Sequence, residues 1–332
     1  MASSEAPAPV AAVLAPSPVL TVTIEVRGTE PEVHLHAGGQ GFWIARMIRS
    51  LGTHVVCCGS FGGETGLVVR TLMEREGVEV RAVRVAGDNA IQLDDRRGGA
   101  STLLVATAPH ELTRHELDEL YGAMVVRGLA ADVSVLAGST SAGGAPSADV
   151  YRRLCADLRA NDGVVVADVS GKEIEAVLRG GVTVLKVSEE DLLSAGMIEA
   201  PSRERVVDAV ERMCDAGTRA IVVSRAEQPA IAALHGEIVE VDAPRLEPLE
   251  PRGAGDAMTA GIAATLASGH GLDEALRVGC AAGALNVARR GFGSGHPAEI
   301  SAMAAQVRLR SFGERAPVTI TPDELAARAR KR

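Results

Sequence analysis

Pro251-Arg252-Gly253-Ala254-Gly255-Asp256-Ala257-Met258-Thr259-Ala260-Gly261 is the segment on which the reading of this chain turns. It follows a β-branched run and opens a long stretch of small residues at helical spacing. Gly253 and Gly255 let the backbone turn tightly and leave its N–H groups open to a ligand. With the positive end of a helix dipole behind them, those groups form an anion site. A transferring phosphoryl group needs donors placed in this way. Asp256 falls in the first helical turn, where a carboxylate can take the proton of an attacking hydroxyl. The residues alone leave a second reading open, in which Asp256 caps the helix and the glycines only turn it.

Upstream of this segment, strand-length apolar runs alternate with helical patterns. Leu20–Val26 reads as a first strand, 39–51 as a helix, Val55–Cys58 as a strand and 66–75 as a helix. Three weaker strands follow near 80–85, 91–94 and 102–106. A helix over 113–126 opens on the capping-box pair Thr113 and Glu116. Then Val133–Leu136, Val164–Ala167, Val182–Lys186 and Ala220–Ser224 form β-branched runs buried on both faces, with helices between them at 147–160, 172–178 and 203–216. This alternation predicts a parallel sheet with helices on both sides. Residues 230–234 and 238–241 read as a hairpin. Helices close the chain at 254–268, 272–289 and 297–307. Ligands of such sheets bind outside the carboxyl ends of the strands.

The bulk composition narrows the function classes. The chain has 332 residues and 46% hydrophobic content, enough to bury a core without metals or disulfides. Only 2% of residues are aromatic, so that core is built from Ala, Val, Leu and Ile. A formal charge of -9 argues against nucleic acid as a partner. The odd set Cys57, Cys58, Cys155, Cys214 and Cys280 shows no metal spacing and predicts reduced thiols in a cytoplasmic protein. No apolar run is long enough for a membrane. Residues 1–18, rich in Ala, Pro and Ser, read as a disordered leader. The domain runs over 19–312, and 313–332 reads as a fraying tail.

Several motifs together resemble the ribokinase/phosphofructokinase B (PfkB) carbohydrate kinases, from about Val19 to residue 310. Gly253-Ala254-Gly255-Asp256 resembles the family's GAGD tetrad, which supplies the anion hole and the base. Ala37-Gly38-Gly39-Gln40-Gly41 through Ala45-Arg46 resembles the first motif, which shapes the sugar site. Gly62-Gly63-Glu64-Thr65-Gly66, Ala137-Gly138-Ser139, Asp168-Val169-Ser170-Gly171 and Val222-Val223-Ser224 resemble other family turns and strand ends, in the family's order. The resemblance implies a three-layer α/β/α ribokinase-like fold, mainly parallel, of the 1-phosphofructokinase-like branch. It also implies ATP with Mg²⁺ and a sugar or sugar-phosphate acceptor.

Carried over residue by residue, the resemblance makes Asp256, Gly253, Ala254 and Gly255 catalytic. Lys186, Ser224, Arg225, Arg252 and Asn286 are then the nucleotide residues. Gly38, Gly39, Gln40, Trp43, Ser139 and Arg97 are the acceptor residues. Asp191 and Glu189 hold Mg²⁺ through water, in a segment Lys186-Val187-Ser188-Glu189-Glu190-Asp191 that departs from the family's KPNxxE. Trp43 replaces a sugar-binding Asn, and either stacks on a ring or fills a helix contact. The family's Arg is missing from Asp88-Asn89-Ala90, where Arg96 and Arg97 are substitutes or simply a solvated turn. Only about a dozen residues separate Val26 from Gly38 in the first-strand reading. A reduced β lid near 27–37 and 88–106 is therefore expected, which argues against a lid-to-lid dimer and leaves a homodimer by another surface open. A nucleoside or other alcohol acceptor, and a ligand-sensing protein of weak activity, are the alternatives.

Other patterns carry less. No G-x-x-x-x-G-K-[ST] occurs. Gly291-Phe292-Gly293-Ser294-Gly295 follows a helix, unlike a dinucleotide loop, and His110 and His115 are spaced five apart where a zinc helix needs four. G-x-S-x-G is absent.

Overall fold

The computed structural model describes residues 8–99, 101–138, 146–214, 218–249, 252–289 and 291–312. In chain order the elements begin with β1 (Val10–Ala15), β2 (Val19–Arg27), β3 (Glu30–Gly38), α1 (Gln40–Ser50), β4 (His54–Phe61) and α2 (Gly63–Arg75). Next come β5 (Glu79–Arg84), β6 (Ile91–Asp95), β7 (Thr102–Ala106), α3 (Arg114–Leu129), β8 (Val133–Ala137), α4 (Ala148–Arg159) and β9 (Val165–Asp168). They are followed by α5 (Lys172–Gly180), β10 (Val184–Ser188), α6 (Glu189–Ser194), α7 (Arg203–Cys214), β11 (Ala220–Arg225), β12 (Gln228–Leu234) and β13 (Glu237–Asp242). The last are α8 (Ala254–Ala267), α9 (Leu272–Val287), α10 (Pro297–Ala304) and β14 (Arg308–Ser311).

The large sheet has ten strands in the order β14-β13-β12-β11-β10-β9-β8-β1-β4-β5. The strands from β11 through β5 are parallel, and β12, β13 and β14 extend the sheet antiparallel. Successive residues of a strand face opposite sides. Ala11, Val13 and Ala15 accordingly enter one core, with α1, α2, α8, α9 and α10. Ala12 and Leu14 enter the other, with α3, α4, α5 and α7. This is the expected three-layer α/β/α arrangement. Cys57, Cys58, Cys155 and Cys280 are buried free thiols.

Two expectations fail together. The stretch read as a disordered leader contains β1, which runs in mid-sheet between β4 and β8 with Ala11–Ala15 at most 3% exposed. Its small side chains have a packing reason. A Cβ on Gly41 would lie 2.5 Å from the Ala15 Cβ, so α1 rests directly on this strand. The run Leu20–Val26, read as the first core strand, belongs instead to β2 of a separate sheet ordered β3-β2-β6-β7. The lid is therefore a complete four-stranded sheet and not a reduced one.

Smaller departures follow the same logic. β14 lies beyond the last helix read from sequence; it pairs with β13, and Arg310 meets Asp242 at 3.0 Å. Helix α3 does open on the capping box read from Thr113 and Glu116. Ser139 and the tail 313–332 lie outside the described residues.

Candidate active site

The sheet order sets the site's position. From β1 the chain proceeds outward to β4 and β5, then returns to the other flank of β1 as β8. The carboxyl ends of β1 and β8 thus flank a topological switch point, where open α/β sheets leave a ligand crevice. A narrow cleft lies there, lined by Ala15–Pro18, Gly39–Phe42 and Gly138.

Helix α8 brings Asp256 beside this cleft. Gly253 is its N-cap, at φ 78°, a left-handed conformation that favours glycine. A side chain there would also meet Phe292 Cδ1 at 3.0 Å. Gly255 serves a different purpose: a Cβ on it would lie 2.5 Å from Lys186 Nζ, so the missing side chain makes room for the ammonium. Asp256 follows in the first turn.

Beneath Asp256 lies a buried charge network. Lys186 on β10 pairs in register with Asp168 on β9. The two side chains, 6% and 4% exposed, meet at 3.3 Å from Nζ to Oδ1. Thr259, one turn after Asp256, donates its hydroxyl to the other Asp168 oxygen at 2.6 Å. Burial and the Asp168 charge raise the Asp256 pKa, while Lys186 pulls it back. For Lys186, burial favours the neutral form, but Asp168, Asp256 and Asp191 outweigh it and raise the pKa. The cluster thus brings a carboxylate and a cation next to the backbone N–H groups at the start of α8.

The structure sorts the remaining candidates. Ser224 lies at the end of β11 opposite Ser188, its hydroxyl 3.4 Å from the Val187 carbonyl. Arg225 is 9% exposed and donates to Glu189 at 3.1 Å, so each engages the other. Asp191 closes a capping box on α6, one carboxylate oxygen accepting from the Ser188 N–H and hydroxyl. Asn286, 1% exposed, donates to the Arg252 carbonyl and accepts from the Gly293 N–H. Its amide ties the turn at Gly253 to the 291–295 loop.

Two acceptor candidates move away from the cleft. Trp43 lies against Phe292, ring centroids 4.6 Å apart, and its neighbour Arg46 donates to the Phe292 carbonyl at 3.2 Å. Phe292 in turn abuts Gly253 and carries the Arg252 guanidinium 5.2 Å above its ring. Trp43 therefore fills a helix–loop contact that buttresses the turn at Gly253. The Arg97 guanidinium donates two hydrogen bonds to Asp95, of 3.0 and 2.8 Å, and its backbone N–H a third of 3.0 Å. Asp95 pairs with Ile24, about 17 Å along β2 from Val19, where the lid meets the cleft. Arg97 is thus a lid-tip residue. Gly39 lines the cleft, and Gly38 just before it has no room for a side chain beside Thr21 Oγ1.

Two residues that matter here were not assigned roles from sequence. Asp168 stood in a quoted turn, and its signal is an acid ending the buried run Val165–Ala167. Asn89 was read only as a place lacking Arg. Its buried amide accepts from the Gly62 N–H and donates to the Pro18 and Ser60 carbonyls, at 2.9 to 3.0 Å. It fastens the root of the lid to the central strands.

A family model described as pfkB family carbohydrate kinase matches residues 18–299. ATP-dependent 6-phosphofructokinase isozyme 2 of Mycobacterium tuberculosis is 27% identical over 281 residues, 81% of each chain. 1-Phosphofructokinase of Borreliella burgdorferi is 24% identical over 249 residues, 74% of this chain and 79% of its own. The crystal structure of phosphofructokinase-2 from Escherichia coli superposes with a TM-score of 0.78 at 22% identity, covering 90% of this chain and 98% of that one. With most of the chain matched by that model, the protein belongs to the pfkB family of carbohydrate kinases.

Proposed function

We propose that this kinase transfers the γ-phosphoryl group of ATP to a hydroxyl of a sugar or sugar phosphate bound at the switch-point cleft. The observation that carries the reading is the placement of Asp256 beside Lys186 and the open backbone N–H groups at the start of α8. The raised pKa of Asp256 suits a proton acceptor working near neutrality. The acceptor hydroxyl gives its proton to Asp256 while its oxygen attacks the γ-phosphorus. The bond from that phosphorus to the β–γ bridging oxygen breaks, and ADP departs. Lys186 and the N–H groups of the Gly253–Asp256 turn balance the charge that develops on the transferring group. The names of the relatives favour a sugar phosphate as acceptor.

Magnesium enters in a limited role. A hard cation seeks several oxygen ligands. Among the described residues no group of three acidic or imidazole side chains could hold a metal. Glu189 is paired with Arg225, and one oxygen of Asp191 is committed to its cap. This donor set does not fit a protein-held ion. It is compatible with an ion carried on the nucleotide phosphates, which the remaining Asp191 oxygen would meet through water.

The lid bears on assembly. Val22, Ile24 and Val26 share one face with Leu35, Val33 and Val105, from the strand register. On that face Val33 is 62% exposed and Leu35 49%. We place a second copy of the chain there, forming a lid-to-lid homodimer. No described helix is long and apolar enough to cross a membrane, and the free thiols suit a reducing cytoplasm.

The deciding experiment replaces Asp256 with Asn. ADP release in the presence of fructose 6-phosphate, fructose 1-phosphate or an unphosphorylated sugar should fall by about 10²–10⁴ for whichever acceptor the wild type uses. ATP binding, followed by calorimetry, should persist. Unchanged turnover would remove Asp256 as the base.

A further inference from the structure

Helix α8 opens without the usual restraint. A helix start is commonly held by an N-cap side chain that accepts from the first backbone N–H groups. Here the N-cap is Gly253, at φ 78° and with no side chain to cap with. The N–H groups of the turn stay open, and the turn's conformation is left to be fixed from outside. Phe292 supplies that support. Its Cδ1 and Cβ lie 3.0 and 3.4 Å from where a Cβ on Gly253 would stand. The Arg252 guanidinium carbon is 5.2 Å from the centre of the same ring, within cation–π range. Trp43 of α1 packs on that ring at a 45° tilt, centroids 4.6 Å apart.

The loop that carries Phe292 is itself pinned. The Phe292 carbonyl accepts from Arg46 Nη1 at 3.2 Å. The Gly293 N–H donates to Asn286 Oδ1, and Asn286 Nδ2 donates to the Arg252 carbonyl, each at 3.2 Å. Gly293, at φ 60°, passes so close to the Trp43 carbonyl that no Cβ would fit there. Helix α1, which backs the loop through Trp43 and Arg46, also lines the cleft with Gln40, Gly41 and Phe42. We propose that Phe292 is the positioning residue of the turn that opens α8: its ring, backed by α1, fixes the Gly253 backbone so that the open N–H groups meet the transferring phosphoryl group. The inference rests on the reading of the Gly253–Asp256 turn as the phosphoryl site.

Phe292→Ala removes the wedge, and Phe292→Tyr keeps a ring in its place. Turnover is measured on the full chain with fructose 6-phosphate, fructose 1-phosphate or an unphosphorylated sugar, whichever the wild type uses, and is expressed per ADP-binding site counted by calorimetry. In Phe292→Ala, kcat per site should fall about tenfold or more, because displaced donors no longer match the transition state. The KM for the acceptor should hold within about twofold, and Phe292→Tyr should retain most of the wild-type kcat. Trp43→Leu, which removes the backing of the ring, should lower kcat in the same direction. Since both changes act through one contact, their losses should not add in the double variant. A merely structural role would reduce the number of binding sites or the melting temperature and leave kcat per site intact. Wild-type kcat per site in Phe292→Ala, or additive losses in the double variant, would overturn the proposal. Failure of the underlying reading is seen separately, as retained turnover in Asp256→Asn.

Discussion

Lys186 and Asp168 show how far a single pair can govern a site. Both are nearly inaccessible, and they form an ion pair at 3.3 Å. Removing one partner of a buried pair leaves an uncompensated charge, at a cost of about 3–5 kcal/mol. Lys186→Met should lose about that much in urea unfolding and should raise the KM for ATP. Asp168→Asn removes a negative neighbour of Asp256, whose raised pKa owes most to burial and next to that neighbour. The rate depends on the ionised base, so it rises with pH through that pKa. In Asp168→Asn the acidic limb of kcat/KM should therefore move to lower pH, and in Lys186→Met to higher pH. A limb that stays in place in both variants would separate this network from the base.

At the scale of elements, helix α8 owes its place to absent side chains. A Cβ on Gly261 would come within 2.8 Å of the Gly279 Cα on α9, and one on Gly283 within 2.9 Å of the Ala254 carbonyl. The two helices pack backbone to backbone, which holds the N-terminus of α8, and hence the anion loop, at a set depth. Overpacking such a contact costs about 1–3 kcal/mol. Gly261→Val should lower the midpoint of thermal unfolding accordingly, and should reduce kcat more than ATP affinity as Asp256 shifts. A variant with native melting and full kcat would argue against this coupling. The helix and its catalytic turn were legible in the sequence because small residues at helical spacing after a Gly-Ala-Gly turn are local signals. The partner helix face was not, since any of several apolar stripes could have met it.

The whole molecule combines a rigid three-layer core with a lid fastened at its root by Asn89. An exposed apolar sheet face of this kind marks a contact surface. If two lids meet there, Leu35→Asp should turn the dimer into a monomer in sedimentation experiments, with the thermal unfolding of the core little changed. A wild-type chain that is monomeric at micromolar concentration would remove the proposed interface. The lid was misjudged from sequence for a definable reason. Val19–Arg27 alternates polar and apolar residues and Val10–Ala15 is a short Ala-rich run, so local pattern ranked the former as the core strand. Pairing decided otherwise, because β1 gains a parallel neighbour on each side and both cores, whereas β2 keeps one polar face.

Sequence by itself determined the alternating α/β architecture, the turn at Gly253–Gly255 and the place of Asp256 in the first turn of the helix that follows. These are properties of periodicity, backbone freedom and helix polarity, all carried within a few neighbouring residues. Tertiary structure alone decided that β1 enters between β4 and β8, which creates the switch-point cleft. It also decided that Trp43 turns to Phe292, that Arg97 stays at the lid tip, and that Asp168 and Lys186 gather around Asp256. Each of those contacts joins residues far apart in the chain. Such contacts are selected by which strands pair and which helices stack, and leave no trace in local spacing.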